Sequence, residues 1–221
     1  MTNHIYSRVV IKGTVGQLKD IIRRTTVADS EKDSIDFNLL FPMPEALNNT
    51  VSPVSIVTEE EYAQARNKQA ELLANNARAV TTGLPLTREM YDSLVQKYGC
   101  ADWYTWANKN WGTKWGTYDV ELEQAESIQY KLDNDPEDQM MEISFSFKTA
   151  WSPANGLWMN ISGQYPECGF EVTFCEELWS FCGRTSYVNG EVTEHSEVDC
   201  GSPKGLQIAS EVGYEIEQDD E

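Results

Sequence analysis

The sequence predicts an α+β fold: a ferredoxin-like split βαβ sheet with a helical insertion at about residues 38–112 and extra antiparallel strands at the C-terminus. Three observations predict it. A strand-to-helix start opens the chain, a mainly helical block follows, and from Trp115 onward apolar residues recur with a period of two. With the helical block set aside, the elements read strand, helix, strand, strand, helix, strand, which is the split βαβ order.

Ile5 to Lys12, carrying Val9, Val10 and Ile11, reads as the first strand. Thr14-Val-Gly-Gln17 is a capping box, in which the Thr and Gln side chains each satisfy the other residue's backbone N–H. It opens a helix bearing Leu18, Ile21 and Ile22. After the polar stretch Thr25–Asp36 comes Phe37-Asn-Leu-Leu-Phe-Pro-Met-Pro-Glu45, where two prolines close a short apolar run and forbid helix through it. Thr58-Glu-Glu-Glu61 is a second capping box, and Ala, Gln, Leu and Glu carry a helix to Val80, before Gly83. Thr87 to Tyr98 repeats the pattern with Met90, Leu94, Val95 and Tyr98 on one side and Gly99 placed for a left-handed cap. A shorter helix is predicted from Asp102 to Asn110.

In the second half, Val120 and Leu122 alternate with Asp119, Glu121 and Glu123. Ile143, Phe145 and Phe147 alternate with Glu142, Ser144, Ser146 and Lys148, and Phe170, Val172 and Phe174 alternate with Glu171 and Thr173. Each is a strand with one buried face. Between the last two, Ser152-Pro153 reads as an N-cap with proline at the first helical position, leading a helix with Leu157, Trp158 and Ile161 that ends by Pro166. Leu178–Cys182 and Tyr187–Val192 read as strands, with Asn189-Gly190 as a tight-turn signal. Leu206, Ile208, Val212, Tyr214 and Ile216 fall on even positions and Glu211, Glu215 and Glu217 on odd ones, which predicts a last strand, wet on one face. The expected domains are residues 1–183 with the insertion, and 184–221 as an acidic strand extension on the same sheet.

Charge is partitioned along the chain. Residues 1–118 hold 13 acidic and 13 basic side chains, whereas residues 119–221 hold 23 acids against Lys131, Lys148, Arg184 and Lys204, so the net charge of −19 lies in the second half. Such a field repels nucleic acid and anionic lipid and attracts basic surfaces, so neither direct nucleic-acid binding nor a membrane role is expected. No stretch approaches the roughly 20 apolar residues that span a bilayer and no apolar run suits a signal peptide, so the expected location is the host cytoplasm. Five cysteines, an odd number, read as reduced thiols rather than a disulfide framework.

Three segments carry a resemblance: Phe37-Asn-Leu-Leu-Phe-Pro-Met-Pro-Glu45; the run Tyr98 to Trp115, with its Trp-Gly-Thr-Lys-Trp core at 111–115; and Phe147-Lys-Thr-Ala-Trp-Ser-Pro153. Together they resemble the YubB-like family of phage and plasmid proteins with a ferredoxin-like domain, over roughly residues 1–183. The resemblance implies a mobile-element setting and a scaffold, with no reaction attached, and beyond Arg184 there is no shared motif.

Chemistry-bearing constellations are sparse. Trp103, Tyr104, Trp106, Trp111, Trp115 and Tyr118 could stack on bases or grip a ligand, but core packing is the stronger reading for an aromatic stripe at helical spacing. An alternative aromatic pocket would comprise Trp103, Trp111, Lys114 and Trp151. Cys168, Cys175, Cys182, His195 and Cys200 lack any Cys-x-x-Cys knuckle, so no metal or other cofactor is expected. His4 and His195 sit in no nucleophile motif, and His4 is expected to fray with the terminus, so no catalytic residue is assigned. Glu176-Glu177 and Asp133-Asn-Asp135 read as solvated turns.

The carboxylates on wet strand positions are the partner-binding candidates: Glu121, Glu123, Glu171, Glu191, Glu194, Glu197, Asp199, Glu211, Glu215 and Glu217. Set at about 5 Å across strands and 7 Å along them, such carboxylates can imitate a phosphate backbone. The leading expectation is a non-enzymatic, phage- or plasmid-encoded inhibitor of a basic host protein that normally binds nucleic acid, such as a restriction, recombination or CRISPR component. Its rivals are a small-molecule or nucleotide-binding enzyme using the aromatic pocket, and a structural assembly protein of the mobile element.

Overall fold

The structure, a computed structural model, describes residues 3–25, 36–75 and 83–214. In chain order the elements are β1 (His4–Thr14), α1 (Val15–Thr25), α2 (Phe37–Leu40), α3 (Glu45–Asn48), β2 (Ile56–Val57), α4 (Glu59–Asn75), β3 (Leu86–Thr87), α5 (Arg88–Tyr98) and α6 (Trp103–Asn110). There follow β4 (Tyr118–Leu122), α7 (Ala125–Asn134), β5 (Met140–Ala150), α8 (Asn155–Gln164), β6 (Gly169–Glu176), β7 (Cys182–Val188), β8 (Glu191–Val198) and α9 (Pro203–Glu211).

Six strands form one antiparallel sheet in the order β4-β5-β1-β6-β7-β8. The first four are the ferredoxin-like core: β1-α1-β4 is split by β5, and β5-α8-β6 is split by β1. β7 and β8 are the additional C-terminal strands. β1 is central, with Val9 opposite Phe145 on one side and Val172 on the other. The alternation anticipated for β1, β5 and β6 puts Ile5, Val9, Ile11, Ile143, Phe145, Phe147, Phe170, Val172 and Phe174 on one buried face. Leu18 and Ile21 of α1 and Leu157, Trp158 and Ile161 of α8 are buried with them. The Trp158 ring lies 5.7 Å from that of Phe147 and 6.3 Å from that of Phe170. Truncating so enclosed a ring to alanine costs about 3–5 kcal/mol.

The Thr14–Gln17 capping box forms as expected: the Thr14 N–H donates to Gln17 Oε1 at 2.8 Å and the Gln17 N–H to Thr14 Oγ1 at 3.3 Å. The chain divides into two compact units, residues 1–42 with 110–221, and residues 43–109. The second holds α3 to α6 and a short parallel pair, β2 with β3. Within it the Thr58–Glu61 box caps α4, Thr87 caps α5, Gly99 closes α5 at φ +75°, and Asp102 Oδ1 accepts the Thr105 N–H at the start of α6.

Several expectations are corrected. Helix does not pass through Pro42-Met43-Pro44, as expected, and the added finding is that α2 and α3 each form a single turn on either side. α7 was not anticipated, because its buried residues, Ile128 and Leu132, make too narrow a stripe to announce it. α8 is capped by Ala154 in the left-handed region, at φ +54°, and Ser152 is not its cap. The hairpin around Asn189-Gly190 exists, but its strands are β7 and β8, displaced from Leu178–Cys182 and Tyr187–Val192. The expected last strand is α9, a helix capped by Ser202 with Pro203 at its first turn. Its buried positions, Gly205, Ile208, Ala209 and Val212, follow the helical rather than the two-residue period. The expectations for residues 26–35, for helix beyond Asn75 and for Glu215 to Glu217 lie outside the described residues. No described helix is long and apolar enough to cross a membrane.

Candidate functional site

The sheet face opposite α1 and α8 carries Glu121, Glu123, Glu171, Glu191 and Glu194 of the candidate carboxylates, and it also carries cations. β1 contributes Arg8 and Lys12 from the neutral part of the sequence and lays them between the acidic strands. Arg8 forms a two-pronged pair with Glu123, Nε to Oε1 at 2.6 Å and Nη2 to Oε2 at 2.7 Å, and also donates to Ser144 Oγ at 2.9 Å. The Ser146 hydroxyl donates to Glu123 at 3.0 Å. Hydrogen bonds from Arg8 hold the Glu123 carboxyl below the ordinary carboxylate range, against its partial burial, and the same pairing raises the guanidinium. Lys12 lies 3.5 Å from Glu142. Lys148 reaches Asp119 at 2.9 Å while sitting 4.6 Å above the Tyr6 ring. Arg184 lies 3.6 Å from Glu171 and donates to Glu211, which α9 brings to it.

Three of the ten partner-binding candidates, Glu123, Glu171 and Glu211, are therefore neutralised in place, and the described residues form no continuous bare carboxylate array on this face. Asp199 serves the turn before α9, accepting the Gly201 N–H at 3.0 Å. Glu121, Glu191 and Glu194 are exposed and make no ion pair among the described residues. Glu191 and Glu194 share the face of Ser186 and Val188, whereas Glu197 stands opposite Gly183 on the other face, with His195 3.6 Å away. Glu215 and Glu217 lie outside the described residues.

The three segments behind the family resemblance meet one another. The Trp111 Nε1–H donates to the Phe41 carbonyl at 2.9 Å, and its ring lies edge-on to Phe37, 5.7 Å between centroids. Thr113 Oγ1 donates to the Ala150 carbonyl at 2.7 Å and Ser152 Oγ to the Gly112 carbonyl. Gly112, at φ +77°, runs so close to Gly156 that a Cβ on either would sit 2.8 Å from backbone. These motifs are a structural clamp at the base of the insertion. Trp111, in the alternative aromatic pocket, is a buried member of that clamp. Trp103 packs against Tyr104 at 5.7 Å, Lys114 lies 4.8 Å over the Trp115 ring, and Trp151 is exposed after β5 at φ +71°.

A polar group at the end of the sheet went unread in the sequence. His4 is held in β1 and its Nδ1 shares a hydrogen bond with the Tyr118 hydroxyl, which also donates to the Thr149 carbonyl at 3.1 Å. Glu177 lies 4.0 Å from His4 Nε2. Burial, reinforced by Glu177 and Asp119, pushes the Tyr118 phenol up to about 12, so it stays protonated at neutral pH. Glu176, far from being a solvated residue, is fully buried. Burial pushes its carboxyl up, but backbone N–H groups of Ser180 and Leu178 with the Asn3 side chain outweigh that and leave it lowered. Only the identity of the neighbouring strand ends, invisible to periodicity, could have brought these residues together.

All five cysteines are free and buried. Cys175, Cys182 and Cys200 share an apolar cluster with Ile208, Ala209 and Val212, and burial pushes the Cys175 and Cys182 thiols up to about 12, away from thiolate chemistry. No group of three or more His, Cys, Asp or Glu side chains among the described residues is arranged to hold a metal ion.

Residues 129–218 match a family model described as the ferredoxin-like domain in Api92-like protein. The match includes the stretch beyond Arg184, where the resemblance read from sequence has no shared motif. The crystal structure of protein api92 from Yersinia pseudotuberculosis is similar to 91% of this chain and 100% of its own, at 10% identity and a TM-score of 0.44. No curated protein matches the sequence.

Proposed function

We propose, from the premise that residues 129–218 of this chain belong to the family of ferredoxin-like domains in Api92-like protein, that the protein is a non-enzymatic acidic binding protein. Its target in this reading is a basic host protein that handles nucleic acid, of the restriction, recombination or CRISPR type, and binding inhibits that protein. The mobile-element setting implied by the sequence resemblance favours such a target.

One observation carries the reading. After the cations of β1 and of the acidic half have taken Asp119, Glu123, Glu142, Glu171 and Glu211, exposed Glu121, Glu191 and Glu194 remain without an ion pair among the described residues, in a chain of net charge −19. Carboxylates of that kind accelerate encounter with a basic surface and lose their effect as salt rises. The proposal is narrower than imitation of a phosphate backbone across the whole sheet, because the paired carboxylates are not available to a partner without breaking their ion pairs.

The test is capture of partners on immobilised protein from host extracts at 50 and 500 mM salt, with mass spectrometry of the retained fraction. Basic nucleic-acid-binding proteins retained at low salt, released at high salt and displaced by duplex DNA are expected. Retention that is indifferent to salt, to competing DNA and to the Glu191→Gln, Glu194→Gln double variant would sink the reading.

A further inference from the structure

The two edges of the main sheet differ in kind. β4 is five residues long, its register against β5 shifts between Tyr118 and Glu121, and Asp119 sits at φ +50°. A short, kinked edge of this sort presents little regular backbone. β8 is eight residues long and pairs with β7 on its inner side only, from Glu191 opposite Val188 to Val198 opposite Cys182. Its outward row of N–H and C=O groups has no partner among the described residues, and six of its eight residues are exposed. Unpaired main-chain groups in a row are a template for another strand.

The side chains select the occupant. Ser186 lies opposite Glu194 but Tyr187 opposite Val192, so Thr193 is an extra residue in β8. That bulge restores Glu191 and Glu194 to the same face, opposite Val188 and Ser186, as though they were two residues apart. Their spacing on that face is thus the ordinary one of about 7 Å, which matches alternate side chains of an added strand. On the other face Val192, half exposed, lies beside the same edge. A second copy of β8 added antiparallel would place carboxylates against carboxylates, which is unfavourable.

We propose that β8 receives, by strand addition, an extended segment of a basic protein in which Lys or Arg alternates with Val or Thr. The basic side chains meet Glu191 and Glu194, and the intervening ones lie beside Val192. This rests on the reading of the protein as a binder of basic partners and specifies where and how such a partner docks.

The probe is a synthetic octapeptide alternating Lys or Arg with Val or Thr, titrated into the full chain while amide signals and their hydrogen exchange are followed by NMR. Residues 191–198 are expected to shift and to exchange more slowly. Methylating alternate backbone nitrogens of the peptide, which keeps its charge and removes its donors, is expected to weaken binding at least tenfold. The Glu191→Gln, Glu194→Gln variant is expected to do the same, while Glu126→Gln, exposed in the first turn of α7, leaves affinity unchanged.

Equal binding of the methylated peptide, or shifts confined to other elements, overturns strand addition. Concentration-dependent dimerisation with β8 protected in the absence of peptide overturns the choice of occupant. Salt-sensitive retention of basic proteins from extracts without protection of β8 overturns this docking mode alone. Absence of any salt-sensitive retention overturns the functional reading beneath it.

Discussion

Arg8 and Glu123 are 115 positions apart and form a two-pronged ion pair on the sheet. Since the Glu123 carboxyl is lowered in the folded protein, the unfolded chain takes up its proton more readily. The stabilisation from this group is complete above the ordinary carboxylate value, about 4.3, and is lost as pH falls through the folded value. Replacing Glu123 by Gln is expected to cost about 1–2 kcal/mol at pH 7, given that both side chains keep some exposure, and less at pH 3, below the ordinary carboxylate value. Denaturant unfolding of both forms at the two pH values measures this, and an equal cost at both would show that the charge contributes nothing. The pair also marks a limit of reading from sequence. Glu123 was recognisable as a wet strand residue, but its neutralisation depends on which strand lies between which others, and the alternation of one strand says nothing about its neighbour's cations. The same holds for Glu171 and Glu211, which converge on Arg184 from a strand and from a helix.

At the level of elements, the dipeptide Ser-Pro has opposite outcomes at two of its three occurrences. Ser202-Pro203 caps α9: the Gly205 N–H donates to Ser202 Oγ at 3.1 Å and proline occupies the first turn. At Ser152-Pro153 the hydroxyl instead donates to the Gly112 carbonyl, and α8 begins at Asn155. The signal was read as a cap only at Ser152-Pro153, where it is not one. At Ser202-Pro203, evenly spaced apolar residues argued for a strand although Leu206 is exposed and Ile208, Ala209 and Val212 make the buried stripe. Ser202→Ala is expected to destabilise the protein by about 1 kcal/mol, with faster hydrogen exchange concentrated in residues 203–211. Ser152→Ala is expected to leave exchange within α8 unaltered, because that helix does not use the hydroxyl. β1, α1, β5 and β6 were legible because local chemistry and tertiary environment agree there: long alternating runs are buried on one face, and a capping box stands where the period changes.

For the whole molecule, the insertion leaves and returns at neighbouring points. The bond from Trp111 Nε1 to the Phe41 carbonyl joins the two sides of the gap, and both residues belong to the unit that contains the main sheet. Replacing residues 43–109 by a short Gly/Ser linker is therefore expected to leave that unit folded. A cooperative unfolding transition and a preserved amide spectrum for the sheet are the observations to make, and a molten product would show that the sheet depends on the insertion. The topology also bears on how the protein is made. β1 occupies the middle of the sheet, yet its partners β5 and β6 begin only at Met140 and Gly169. At about 5–20 residues per second, a ribosome needs roughly 6–25 s to travel from the end of β1 to the start of β5. Throughout that interval the nascent chain carries Val9, Val10 and Ile11 with neither flanking strand in existence, so sheet formation must await late synthesis and the early apolar segment is a natural client for a chaperone.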